Sequence, residues 1–160
     1  MRFKVAPEPV DADLLAAVHG AIPLVPGSTD DCCARIQNRT AISNREAAES
    51  WLTFCRALSL ATETDRGYER RRRDPTDPAV ADAFVERVFG VRELLAALDA
   101  ADEPVRVDAA FDAIRDAVPN WERNRHADWE RVWTERIHRL LDWAVLFGRV
   151  ERADGGYRPA

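Results

Sequence analysis

Apolar residues recur at helical spacing in six stretches of the chain, and two short stretches replace that rhythm with β-forming residues around a glycine turn. Leu14, Leu15, Val18 and Ile22 predict a first helix over residues 10–20, with Asp11 or Asp13 near its start and Pro23 and Pro26-Gly27 at its end. Ser28, followed by Thr29, Asp30 and Asp31, supplies an N-cap and first-turn acids for a second helix reaching about Gln37, which buries Cys33 and Ile36. Residues 38–42 read as the turn. Ser43-Asn44-Arg45-Glu46 then has the form of a capping box, in which the Ser43 hydroxyl takes the amide of Glu46 and that carboxylate reaches back. The third helix it opens carries Ala47, Ala48, Trp51, Leu52, Cys55 and Leu58 on one stripe, with Phe54 at the margin.

After Leu58 the spacing changes. Residues 60–64, a turn at Asp65-Arg66-Gly67 and then Tyr68 predict a short hairpin, the glycine permitting positive φ. Asp74-Pro75-Thr76-Asp77-Pro78 reads as a boundary between a unit of residues 1–74 and one of 75–160, because two prolines in four residues bar a continuous helix. Asp77 and Pro78 suit the N-cap and first position of the next helix, which runs to about Leu98 with a bend at Gly90. Val105 to Val107 makes a minimal strand, and Asp108 caps a helix through Phe111, Ile114 and Val118 that stops at Pro119. A last helix over 128–147 places Trp129, Trp133, Ile137, Leu140, Leu141 and Ala144 on one face and ends at Gly148. Arg149 to Arg158, turning at Asp154-Gly155-Gly156, is a second hairpin.

An offset of 89 residues superposes Asp65-Arg66-Gly67-Tyr68 on Asp154-Gly155-Gly156-Tyr157 and Leu58-Ser59-Leu60 on Phe147-Gly148-Arg149, without a gap. Phe54 then falls on Trp143 and Trp51 on Leu140, so the helical phase is also kept. The order helix, helix, capped helix, hairpin, with these exits and Gly-Tyr wings, resembles the winged helix-turn-helix, over about residues 10–72 and again over 78–159. The resemblance implies a mainly α fold with short β-hairpins, built as two winged-helix-like units in tandem. Ser59 departs from the usual glycine, and the long link over 120–127 departs from a tight helix-turn-helix.

Hydrophobic residues at 46% and charged residues at 32% of the 160 give enough apolar material for a core without wholesale disorder. No apolar run is long enough to span a bilayer, and the N-terminal residues lack the apolar block of a signal peptide, so a cytoplasmic location is expected. Adjacent Cys32 and Cys33, with Cys55 in an apolar helical phase, read as reduced, buried thiols. Lys4 is the only lysine among 23 basic residues, and 16 aspartates outnumber 12 glutamates. With a net charge of −5 this composition resembles proteins of haloarchaea that accumulate KCl, GC-rich bacteria being the alternative.

Winged-helix proteins place the third helix in the major groove and the wing on phosphates. The resemblance therefore implies nucleic-acid contacts from Asn44, Arg45, Glu49, Thr53 and Arg56, and wing contacts from Arg66 and the run Arg70, Arg71, Arg72, Arg73. Guanidinium forks suit phosphate oxygens. Residues 1–75 carry no net charge and 76–160 carry −5, which points to the first unit as the one that meets DNA. The competing reading is a solvated linker whose arginines pair with Glu69 and Asp74. In molar KCl four phosphate contacts lose on the order of 10⁴-fold affinity or more, so arginines alone would not hold DNA there.

Glu135 and His138 form a single Glu-x-x-His, half of a di-iron motif, with no second copy, and His138 is read as a partly buried helix residue. No cofactor, metal or catalytic group is expected, and the protein is read as a non-enzyme. Trp129 and Trp133 read as core, whereas Trp121, outside a clear helical phase, suits a protein partner or a homodimer face. The leading expectation is a DNA-binding regulator acting on double-stranded DNA through the first unit. The alternative is a protein-interaction adaptor on the same scaffold.

Overall fold

The computed structural model describes residues 6–160. The reading of the N-terminus falls mostly on residues 1–5, Lys4 included, which lie outside the described residues. The chain divides into two compact units, one ending at Val88 and the other beginning at Phe89.

In the first unit, α1 (Ala12–Ala21) begins where the Asp11 carboxylate accepts the Leu14 amide at 2.9 Å, and α2 (Thr29–Arg39) where the Ser28 hydroxyl accepts that of Asp31 at 3.0 Å. The capping box expected at Ser43 does not form. Asn44 is the N-cap of α3 (Arg45–Ala57), its side-chain oxygen accepting the Ala47 amide at 3.1 Å. Ser43 contributes only its carbonyl, which takes the Gln37 side-chain amide at 3.2 Å. Serine and asparagine cap about equally well, so local chemistry left the choice to packing.

Leu15, Val18, Ile22, Cys33, Ile36, Ala48, Trp51, Leu52 and Cys55 from these three helices are all buried. Phe54, expected at the margin, is buried too, because α4 (Pro78–Arg87) covers it and sets Phe84 edge-on to its ring at 6.4 Å. Burying an aromatic ring contributes roughly 1.5–3 kcal/mol, with up to about 1.5 more for edge-to-face geometry. The Asp77 cap and Pro78 first position of α4 are as expected. The compact units nevertheless part after α4, fourteen residues beyond the expected boundary at 74/75.

The second unit contains α5 (Val91–Ala100), α6 (Val107–Ile114), a single 3-10 turn at 115–117, α7 (Asn120–Arg125) and α8 (Trp129–Leu146). Gly90, at φ 87°, breaks the expected helix over 78–98 into α4 and α5 instead of bending it. Asp108 lies inside the first turn of α6, where its carboxylate takes the Ala109 amide at 2.9 Å; Arg106 holds the cap position. The link over 120–127 contains α7, whose Glu122 carboxylate is buried against the Arg136 guanidinium of α8 at 3.3 Å. Trp129 is half-buried, between the guanidinium groups of Arg115 and Arg123 at 5.4 and 4.7 Å.

Each winged-helix motif closes on an antiparallel hairpin, β1 (Ala61–Thr64) with β2 (Gly67–Arg70), which α4 follows, and β3 (Val150–Ala153) with β4 (Gly156–Pro159). The 89-residue offset holds for both ends of all four strands. A third, one-residue strand docks on each hairpin: Gly27 exchanges both backbone hydrogen bonds with Tyr68 at 2.8 and 2.9 Å, and Val105 does so with Tyr157 at 2.7 and 2.8 Å. This contact explains the glycine of each Gly-Tyr pair. A Cβ on Gly67 would stand 2.2 Å from the Gly27 carbonyl oxygen, and one on Gly156 would stand 2.8 Å from that of Val105.

The helix exits also match. Ser59 (φ 62°) and Gly148 (φ 75°) both adopt the left-handed conformation. The residue after each closes the turn, Leu60 donating to the Cys55 carbonyl at 2.8 Å and Arg149 to that of Ala144 at 2.9 Å. Both winged-helix motifs thus run helix, minimal strand, helices and wing, the first followed by α4, in a mainly α fold with short hairpins.

Candidate nucleic-acid interface

The third helix and wing of the first unit hold the residues that the winged-helix resemblance selected. Along α3, Arg45, Glu46, Glu49 and Ser50 are exposed and Thr53 and Arg56 are half-exposed, so one stripe faces away from the core. The side-chain oxygen of Asn44 is committed to the helix cap. Arg45 reaches the Asp30 carboxylate at 2.8 Å and that of Glu49, one turn on, at 3.9 Å. Arg56 pairs with Glu63 of β1 at 3.3 Å, tying the end of α3 to the wing. Burial and then the Glu63 carboxylate push the Tyr68 phenol above its ordinary range, the Arg56 charge opposing them. Both arginines of the stripe therefore have carboxylate partners, at exposed sites where such pairs contribute about 0–1 kcal/mol.

The hairpin divides the remaining arginines. Arg66 sits at the tip, where its amide donates to the Thr64 hydroxyl at 3.1 Å. Arg70 ends β2 at the base, its Nη1 donating to the Gly20 carbonyl at 3.3 Å, a cation at the C-terminus of α1. Its Nε is buried with no hydrogen-bond partner. Arg71 donates its amide to Leu60 at 3.0 Å, and its carbonyl lies 2.8 Å from the His19 imidazole nitrogen. Five residues of extended chain, roughly 16 Å, separate tip from base.

Among the described residues, the guanidinium groups of Arg66, Arg71, Arg72 and Arg73 form no ion pair. The flanking Asp74 turns instead to Thr76, taking its amide at 2.8 Å and its hydroxyl at 2.7 Å, and these bonds hold its carboxyl below the usual range. Arg71 and Arg72 are exposed and Arg73 half-exposed. The expected set is thus split four ways, into the α3 residues with both arginines paired, an unpaired cation at the wing tip, Arg70 anchored on Gly20, and the unpaired run Arg71 to Arg73 at the wing base. His19, which holds the start of that run by its backbone, was missed in the sequence; a lone histidine at a helix end carries no signal for a partner 52 residues away.

Elsewhere the chemistry is structural. Burial pushes the Cys55 thiol up to about 12, and burial, with Cys33 beside it, also raises Cys32. All three thiols are free and buried. His138 is exposed, not partly buried, because its position on α8 faces Asp142, 3.5 Å away, on the solvent side. Asp142 also accepts the Tyr157 hydroxyl at 2.7 Å and Arg152 at 2.8 Å, bracing the second wing against α8. Glu135 pairs with Arg131 at 3.0 Å. Trp121 stands exposed on α7. Among the described residues no helix is long and apolar enough to cross a membrane.

A family model described as a halobacterial double winged helix domain matches residues 1–160. No curated protein and no solved structure matches the chain. The halobacterial description accords with the Asp-rich, Lys-poor composition, and the double winged helix with the two helix-and-wing units and their shared 89-residue register. The chain belongs to the halobacterial double winged helix domain family.

Proposed function

We propose that this protein is a non-enzymatic DNA-binding protein that holds duplex DNA through its first unit. The observation that carries the reading is the set of unpaired cations on and beside the first wing, Arg66, Arg71, Arg72 and Arg73, left free although Glu69 and Asp74 flank the run. Such groups gain most from phosphate, because no internal ion pair has to be given up. The roughly 16 Å between wing tip and base is no obstacle, since a duplex offers a charge about every 1.7 Å along its axis. Arg70 serves the fold at the end of α1 and is a support, not a contact. Double-stranded DNA is the kind of partner that winged-helix folds commonly take.

The test is fluorescence anisotropy of a labelled duplex titrated across a KCl series. Wild type is expected to show log K falling with log[KCl] at a slope of about −3 to −4, from about 0.9 per phosphate contact. Arg71→Ala/Arg72→Ala/Arg73→Ala is expected to flatten the slope by nearly 3, and Arg66→Ala by about 1. Absence of binding at low salt, or slopes that the variants leave unchanged, would sink the proposal.

A second reading, a protein-interaction adaptor, is favoured by two observations. The arginines of α3 are neutralised within their own unit, and Trp121, half-exposed on α7, offers an aromatic anchor for a partner or a second copy. Trp121→Ala would weaken such an association and leave DNA binding unchanged.

A further inference from the structure

The stripe of α3 that a winged helix would lay in the major groove is poorly equipped to read bases. Arginine to guanine and asparagine or glutamine to adenine are the commonest specific contacts, each made through both hydrogen-bonding arms of the side chain. Here Asn44 spends its oxygen on the Ala47 amide, Arg45 lies between Asp30 and Glu49, and Arg56 lies on Glu63. The rest of that stripe presents Glu46, Glu49 and Ser50 exposed and Thr53 half-exposed. Two carboxylates among four groups would meet the electronegative walls of the groove. The free positive charge lies off the helix, at Arg66 on the wing tip and Arg71 to Arg73 at the wing base. The base is held by backbone: the Arg71 amide bonds Leu60, its carbonyl meets His19, and the Arg73 amide bonds the Arg71 carbonyl at 2.9 Å. Groups arranged in this way contact phosphates and sugars, which position a protein on DNA without carrying sequence information.

We infer that the first unit binds duplex DNA irrespective of its base sequence, through wing arginines on the phosphate backbone, with α3 contributing no base readout. This rests on the DNA-binding reading above and narrows its substrate class to duplex DNA in general, in place of a particular operator.

The experiment measures binding of the full-length protein to a pool of random duplexes at low KCl, sequencing the bound fraction after repeated selection, and affinities for individual duplexes by anisotropy. The expected result is an unenriched pool, affinities within about threefold across unrelated sequences, and for Glu49→Ala/Ser50→Ala/Thr53→Ala the same fold-change on every duplex, with no preference created. Arg71→Ala/Arg72→Ala/Arg73→Ala is expected to lose at least tenfold on every duplex alike. Circular dichroism of each variant confirms that it is folded. Enrichment of one sequence, or a preference altered by the α3 variant, overturns the inference while leaving DNA binding intact. No binding to any duplex overturns the DNA-binding reading itself.

Discussion

Ser59 is a buried serine held at φ 62°, where a β-carbon crowds the following carbonyl and costs roughly 1–2 kcal/mol. Its counterpart, Gly148, makes the same turn with no such crowding. Ser59→Gly is therefore expected to stabilise the first unit by about 0.5–1 kcal/mol, and Gly148→Ala to destabilise the second by about 1 kcal/mol. Urea midpoints at fixed KCl measure both. At the other end of the same turn-and-wing motif, Tyr157 has its phenol pushed up to about 12 by burial and then by the Asp142 carboxylate, and Tyr68 is also raised. The chain has only these two tyrosines. Absorbance at the tyrosinate band should show less than half of the two phenols ionised at pH 10 and a midpoint near 12 for Tyr157, and Asp142→Asn should lower that upper midpoint without restoring the ordinary value, because burial remains. Since unfolding returns each phenol to its ordinary range, the unfolded chain binds fewer protons between about pH 10 and 12. Stability conferred by Tyr157 is therefore present below pH 10 and lost as pH rises through that window, and Tyr68 contributes in the same direction.

At the scale of elements, the start of α3 shows where sequence patterning stops. Ser43 and Asn44 are both good caps, and the apolar stripe from Ala48 to Cys55 is compatible with either start. The structure selects Asn44, so Asn44→Ala should cost about 1 kcal/mol in thermal or urea unfolding, while Ser43→Ala should change stability by less than about 0.5. The reverse ranking would restore the capping box. The wings were legible for a different reason. Each needs glycine where its second strand passes against a minimal strand, at Gly67 against Gly27 and Gly156 against Val105, so the steric demand is written at fixed register in both hairpins. The minimal strands are harder to see, because one residue has no period; the sequence marks Val105 as strand but Gly27 only as part of the stop after the first helix. Gly90 broke a helix that periodicity carried across it, since the apolar spacing of Phe84 and Leu94 survives a left-handed residue between them.

At the scale of the whole chain, the division after Val88 alters the charge argument as well as the boundary. Residues 1–88 hold 12 basic and 14 acidic residues and 89–160 hold 11 and 14, so the two units differ by one charge, far less than a division near residue 75 gives. Net charge therefore no longer points to the first unit as the DNA-binding one; the unpaired arginines of its wing do. The boundary is testable. A fragment of residues 1–88 should unfold cooperatively, whereas 1–74, which removes α4 and uncovers Phe54, should lose about 2 kcal/mol or more and bind hydrophobic dyes. Equal stability of the two fragments would return the boundary to the proline-rich segment.

By itself the sequence determined most of the element types, the exit at Gly148, the paired Gly-Tyr wings and the tandem winged-helix architecture, because each follows from local sterics or from a period that a few residues can carry; the six-residue α7, the break at Gly90 and the left-handed Ser59 carry no such signal. Only the tertiary structure decided which cap opens α3, why Phe54 is buried, where the compact units part and which arginines are free. Those outcomes turn on partners distant in the chain: Phe84 for Phe54, Glu63 for Arg56, Asp30 for Arg45, and Gly20 and His19 for the arginine run. Two arginines are chemically identical in a sequence. What distinguishes Arg56 from Arg72 is the carboxylate that the fold brings to one and withholds from the other.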